Sequence, residues 1–542
     1  MKIKLLILIV AIFSFISCND IFDVSPQDKI SENDVWEDES LIRLYMNACY
    51  TSAFEQGLFR TTQIGHATDE LHSIKGSVYY YLITRNELTA DNISTIHSYL
   101  NNWKTAYALI RNVNIFFDKI ESAPITESVK QGMIGEMTFI RAFLYSQLIW
   151  RYGGVPLIKN VYGLEDDYTV KRDSYDDCVS YILAELNKAI SALPNQQTGN
   201  NLGKVSADAA RALKARVLLY AASPLNNPTN DKAKWQAASD AAKELIDTRY
   251  SLNDDYRSTF IAQNNEVIFA KYHTQASQLA LSQQVGRNGD HGWGSDSPTQ
   301  NLVNDYEMSN GQMPFLADGS VNMASGYDAA KPYANRDPRF SASILYNGSV
   351  WMGRATETFS GGADSREGPI DNWNGSMTGY YLKKFVPEDI PPTGGTIYPT
   401  TPWIMFRYAE ILLNYAEAQF MLGNEEVART YINKVRDRAS VKMPAITETG
   451  EALKKRIQHE RRIELVFEGH RYFDVRRWKI ANETETKNIV GVTIAKKSNG
   501  EFTFTPKNLI TRTWNDKLYL LPIPRTEIDR SLGSLTQNNG YN

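Results

Sequence analysis

Over much of the chain, apolar residues recur every three or four positions, the spacing that lines up one face of an α-helix. In residues 38–54 that face is Leu41, Leu44, Tyr45, Ala48 and Cys49; in 98–120 it is Trp103, Tyr107, Ile110, Val113 and Phe117. Residues 129–150 repeat it with Ile134, Met137, Ile140, Leu144 and Leu148, and the pattern stops at Gly153-Gly154-Val155-Pro156, a strong terminator. Further helices are predicted over 174–193, 206–222 and 232–248; the second opens on Ser206, a capping residue type, and ends at Ser223-Pro224. Between 255 and 402 the texture changes. Gly, Asn, Ser and Pro rise, aromatics are scattered, and strand-like runs are short (266–272, 380–386). Helical spacing returns over 404–422, 424–439 and 451–467, and the tail has hairpin-like stretches at 490–495 and 501–505.

Small residues punctuate two of these helices: Ala209, Ala212 and Ala215, then Ala237, Ala238 and Ala241. Such positions let helices approach closely, which predicts tetratricopeptide-like stacking in which each pair buries its face against a neighbour. The helix starts are irregularly spaced, so the array is degenerate. The expected fold class is mostly α: a tetratricopeptide-like helical scaffold with a loop-rich, mixed α/β insertion. Residues 37–254 are expected to form the N-terminal part of that scaffold, 255–402 the loop-rich ligand-binding region, and 403–542 the helices and tail that complete it.

The first residues decide where the protein resides. Lys2 and Lys4 precede the apolar run 5–16, which as a helix spans about 18 Å, short of the roughly 30 Å hydrocarbon core of a bilayer. Residues 1–17 therefore read as a secretory signal rather than a membrane span. Its end, Phe15-Ile16-Ser17-Cys18, resembles a bacterial lipobox, with Cys18 as the lipidated first residue of the mature chain and 18–36 as a polar, turn-rich tether. The plainer alternative is a signal peptide followed by an incidental cysteine. No later segment approaches 18 continuous apolar residues. Cys49 and Cys178 are expected to be buried small hydrophobes or one bridge.

Composition narrows the chemistry. With 58 Lys+Arg against 62 Asp+Glu, the formal charge is -4, which gives no basic excess for binding nucleic acid. Apolar residues at 42% suffice for a substantial core, and 30 tyrosines are the compositional oddity. There is no Gly-x-Ser-x-Gly elbow and no CxxC set, and Ile463 stands where a zincin pairing with His459-Glu460 needs its second histidine. The glycines at 286, 289, 292 and 294 do not follow the strand-to-helix pattern of a phosphate loop. No catalytic residue, metal ligand or cofactor is nominated.

Several segments together resemble the SusD/RagB family of outer-membrane lipoproteins of Bacteroidetes. They are Arg141-Ala-Phe-Leu-Tyr145 with Arg151-Tyr-Gly-Gly-Val-Pro-Leu157, Arg407-Tyr-Ala-Glu-Ile-Leu-Leu-Asn-Tyr-Ala-Glu-Ala418, and the run from Glu460 to Trp478. Leu521-Pro-Ile-Pro524 and Asn538-Asn-Gly-Tyr541 also fit, and the order is kept from the lipobox to the C-terminus. The resemblance implies a helical scaffold carrying a non-catalytic glycan-binding surface. It also implies surface exposure at the outer membrane and a partner, a SusC-like TonB-dependent transporter over which the lipoprotein sits as a lid. A peptide-importing branch of the same family is the rival reading, with a secreted glycan-processing enzyme behind it. Within the third segment, Glu460, Arg461, Arg462, Glu464, Glu468, Arg471, Asp474, Arg476 and Arg477 alternate in sign at helical spacing, which predicts a structural ion-pair cluster.

A neutral sugar offers C–H-rich ring faces and a rim of hydroxyls, so its site needs exposed aromatic plates edged by polar groups. Asp69, Lys75, Tyr79, Tyr80 and Tyr81 form one candidate set; in an extended stretch Tyr79 and Tyr81 would point one way and Tyr80 the other. Trp293, between Gly292 and Gly294, has no helical face to join and is either a lid on the core or a ligand plate. Trp351 and Trp373 are further candidates of this kind. Trp103, Trp150, Trp235 and Trp478 fall on helical patterns or in a signature segment and are assigned to the core.

Overall fold

The computed structural model describes residues 34–54, 62–163, 165–272, 284–389 and 401–541. The signal segment, Cys18 and nearly all of the tether lie outside the described residues. The fold is mostly α. The first half holds α1 (Glu39–Ala53), α2 (Trp103–Ile120), α3 (Glu127–Tyr152), α4 (Tyr175–Ala192), α5 (Ala207–Ala222) and α6 (Lys232–Lys243). Their starts are set by side chains that accept otherwise orphaned N–H groups: Asp38 from Ser40 and Leu41, Ser174 from Asp177, and Ser206 from Ala209. Each such cap stabilises its helix by about 1 kcal/mol. At the end of α3, Gly153 takes φ 75, and a Cβ on Gly154 would lie 2.2 Å from the Asp173 carbonyl oxygen. Two adjacent glycines are needed to turn the chain there.

Consecutive helices pack on one another from α2 to α6. The alanines of α5 are fully enclosed at these crossings, as is Ala241 of α6. The array does not stop at α6, which packs against α7 (Tyr408–Leu422); α7 in turn packs against α8 (Glu425–Arg436) and α9 (Gly450–Glu464). One apolar core therefore runs from Trp36 to Leu535 through both halves of the chain. Cys49 and Cys178 sit in it as free thiols, so the bridge alternative is excluded; burial pushes them up to about 12 and about 11.

The intervening residues pack around a second core that includes Tyr256, Phe260, Trp351, Tyr381, Phe385 and Trp403. They supply β1 (Val267–Lys271), β2 (Ile344–Leu345), β3 (Val350–Trp351), β4 (Arg354–Ala355) and β5 (Tyr381–Leu382). Strand β6 (Trp403–Arg407) is antiparallel to β1, and β2 pairs with β5. The helix expected from Ile404 therefore begins only at Tyr408, because the apolar run before it is used as a strand. The tail contains the longest hairpin, β7 (Ile489–Lys496) and β8 (Phe502–Ile510).

Where the two cores meet lies a buried ion-pair lattice built from the charged signature segments. Glu464 accepts from Arg339 (3.0 Å), Arg407 (2.8 Å) and Arg438 (2.8 Å), while Arg407 also holds Glu266 and Glu468 (2.7 Å each). Arg436 joins Glu307 (2.9 Å) to Glu460 (2.8 Å), and Arg477 joins Glu417 (2.5 Å) to Asp474 (2.8 Å). Burial alone would raise the Glu464 carboxyl, but the three guanidiniums outweigh it and hold it well below the usual range. The planar fork of arginine satisfies several carboxylate oxygens at once, so this cluster ties helices to loops.

Candidate functional site

Three stretches converge on one surface: the turn at 72–77, the loop 284–299 and the loop 363–379. The first two are joined by a set of buried polar contacts. His72 N–H donates to the Ser297 carbonyl (2.8 Å), Thr299 N–H to the Glu70 carbonyl (3.0 Å), and Ser73 Oγ to the Ser295 carbonyl. Beneath them Ser77 Oγ lies 2.8 Å from His72 Nδ1 and 3.2 Å from His66 Nδ1, and His66 Nε2 lies 2.7 Å from Asp296 Oδ1. This serine–histidine–aspartate chain is fully enclosed, with no access for a substrate, so its role is to fix the turn. The second and third stretches are joined by Asn288, whose Nδ2 donates to the Ser365 (3.2 Å) and Ile370 (2.8 Å) carbonyls. Arg354 adds contacts to Asp290 and Asp364, 2.7 Å each.

On this frame Lys75 stands between two indoles. Its Nζ is 4.5 Å from the centroid of Trp373 and 5.0 Å from that of Trp293, and it donates to Asn374 Oδ1 at 2.7 Å. Partial burial draws the ammonium below its ordinary value. Trp373 is 62% exposed, the one tryptophan mainly open to solvent among the described residues; Trp293 is half-buried. Beside them His291 Nδ1 and Asp371 Oδ2 meet at 2.7 Å, bridging the two tryptophan loops. The glycines flanking Trp293 have a steric reason: a Cβ on Gly294 (φ 51) would lie 2.6 Å from the Asn374 carbonyl oxygen, and one on Gly292 2.3 Å from the Gly286 backbone. Only glycine allows the two loops to approach this closely.

The nominated residues divide. Lys75, Trp293 and Trp373 come together, and Tyr79 is exposed with its ring on the edge of His97, 5.6 Å between centroids. Tyr79–Tyr81 do not form an extended stretch; they lie on successive short helical turns, Val78–Tyr80 and Tyr81–Thr84. Tyr80 is buried against His66, and Tyr81 is half-buried under Arg85. Asp69 is buried in the ion-pair lattice, held by Arg462 (2.7 Å) and Arg471 (3.0 Å). Burial would raise its carboxyl, but Arg462, Arg471 and Arg512 overcome that and lower it. Trp351 is 4% exposed in the second core. Asp69, Tyr80 and Trp351 are therefore corrected to structural positions. Asn374, His291 and Asp371 were not nominated, although each is within two residues of a nominated tryptophan.

Among the described residues, no group of three or more His, Cys, Asp or Glu is placed to hold a metal ion, and no helix is long and apolar enough to cross a membrane. The carboxylates beside the indoles already have partners, Asp371 in His291 and Asp290 in Arg287 and Arg354.

A helical scaffold presenting aromatic loops in this way defines a class, and comparison with known proteins identifies it. A family model described as the SusD family matches residues 248–541, and another, described as starch-binding associating with outer membrane, matches residues 20–219. The chain belongs to the SusD family. SusD-like protein P25 of Formosa agariphila is 23% identical over 574 residues, covering 100% of both chains. Among solved structures, a SusD-like protein of Bacteroides fragilis is 32% identical with a TM-score of 0.79, over 95% of this chain and 100% of that one. A SusD-like carbohydrate-binding protein of the same species is 26% identical with a TM-score of 0.77, over 92% and 99%.

Proposed function

We propose that the protein is a non-catalytic, surface-exposed glycan receptor, anchored to the outer membrane through lipid on Cys18, that passes captured oligosaccharide to a TonB-dependent transporter. The observation that carries the binding reading is the pair of indoles around Lys75, one of them open to solvent, on loops fixed from beneath by buried hydrogen bonds. An indole face stacks on the C–H face of a sugar, while Lys75 and the exposed His291–Asp371 pair offer donors and acceptors to its hydroxyls. The family's description as starch-binding and the carbohydrate-binding relative support the same ligand class. The partner and the anchor rest on the family resemblance and on the lipobox.

Affinity electrophoresis of the mature protein in gels containing starch, laminarin and other polysaccharides is expected to show retardation without release of reducing ends. Trp373→Ala should weaken retention by about 0.5–1.5 kcal/mol beyond the lost contact area. Release of reducing ends would replace this reading with an enzyme, and binding of oligopeptides alone would replace it with a peptide receptor. In cells, Cys18→Ala should move the protein out of the membrane fraction, since acyl chains hold the anchored state by about 0.8 kcal/mol per buried CH₂.

A further inference from the structure

Tyr380, just before β5, and Tyr381, its first residue, point to opposite sides, as successive residues of extended chain do. Tyr381 faces the tryptophan loops, accepting from Ser376 N–H (3.0 Å) and donating to the Asp364 carbonyl (2.8 Å). Tyr380 faces away, into a groove of about 540 Å³ between residues 313–333 and the β7–β8 hairpin. That volume lies within the range of about 300–1,000 Å³ typical of small-molecule sites. A continuous hydrogen-bond chain crosses its floor: Tyr333 OH to Tyr380 OH (3.3 Å), Tyr380 OH to Gln300 Oε1 (2.6 Å), and Gln300 Nε2 to Asn304 Oδ1 (2.6 Å). The chain ends at the Asn304 amide nitrogen on the groove's lining. Rings form the walls, with Tyr327 and Phe315 on one side (4.9 Å between centroids) and Phe504 of β8 on the other. Tyr327 is half-buried and lines the groove. The lining carries two charged side chains: Asp305, already paired with Arg462 at 2.8 Å, and the exposed Lys487.

We propose that this groove is a second saccharide subsite, separate from the indole pair and on the opposite face of β5, that takes a neutral sugar unit. The inference rests on the glycan-receptor reading. Aromatic walls over an amide- and hydroxyl-lined floor match a ring with an apolar face and a polar rim; the paired Asp305 leaves no free anionic centre to select a cation, and Lys487 is a donor for sugar hydroxyls.

Calorimetry with starch-derived and laminarin-derived hexasaccharides on the mature chain tests this. The Trp293→Ala/Trp373→Ala variant is expected to retain a weaker binding phase, and adding Tyr327→Ala should weaken that phase about two- to tenfold, the equivalent of one lost stacking plate. Asn304→Ala, at a half-exposed position, is the second probe of the groove should the tyrosine variant melt early. If the double tryptophan variant binds nothing, and neither Tyr327→Ala nor Asn304→Ala changes the unaltered protein's isotherm, the groove is not a subsite and the glycan-receptor reading stands alone. If the unaltered protein binds neither saccharide, both proposals fall together.

Discussion

At the scale of single residues, charge and burial decide what each nominated side chain does. Asp69 and Glu70 are neighbours and both enclosed, yet they differ because the guanidiniums of Arg462 and Arg471 contact Asp69. Burial pushes Glu70 up to about 7 against the weaker pull of the same arginines. The folded protein then holds a proton between about pH 4.5 and 7 that the unfolded chain releases, so this group's stabilisation is lost as pH rises through that window. Glu70→Gln is expected to raise the melting temperature at pH 8 and to lose that advantage at pH 4; equal shifts at both values would refute the assignment. His72 acts in the opposite sense. Burial and His66 lower it to about 3, so its contribution is lost as pH falls from about 6.5. Lys75 needs no titration to matter. Lys75→Met removes the cation between the indoles, a contact worth about 0.5–1 kcal/mol at an exposed site. Acrylamide quenching of tryptophan emission should increase and glycan retention weaken; unchanged quenching would mean that the ammonium does not restrain Trp373.

At the scale of elements, the helices were legible and the site only partly so. Periodicity and caps located the long helices to within a few residues because Ser174, Ser206 and the glycines after α3 act locally. The strand β6 was not legible, because Trp403–Arg407 is an apolar run whose pairing partner, β1, lies more than a hundred residues earlier. The tyrosine stretch misled for a related reason: strand-favouring residues there are held in tight turns by contacts from elsewhere, Tyr80 against His66 among them. Trp351 and Trp373 are both followed by glycine within two residues, yet one is in the core and the other in solvent, a difference set only by the packing of distant segments. The meeting of Lys75 with Trp293 and Trp373 spans three loops and could not be read from any one of them. Gly294 gives the test at this scale. Gly294→Val adds a Cβ where the Asn374 carbonyl stands at 2.6 Å, in a backbone conformation that β-branched residues resist. It should part the two tryptophan loops and abolish glycan retention while the far-ultraviolet dichroism of the helices persists; full retention would show that the loops need not touch.

At the scale of the whole molecule, the ion-pair lattice joins the two cores, and its removal should be felt globally. Glu464→Ala leaves Arg339, Arg407 and Arg438 without a shared buried carboxylate, a loss of about 3–5 kcal/mol for breaking one partner of a buried pair. Denaturant unfolding should register this as a lower midpoint, whereas a loss below about 1 kcal/mol would place the lattice among the weakly contributing surface pairs. The packing of α6 on α7 has a further consequence. The surface that covers α6 is supplied by residues more than 160 positions later in the chain. Until those are synthesised, the leading helices carry an open apolar flank. Helices α7 to α9 close the stack like a keystone, so a chain cut short in its final third should fail to fold stably rather than persist as half a scaffold.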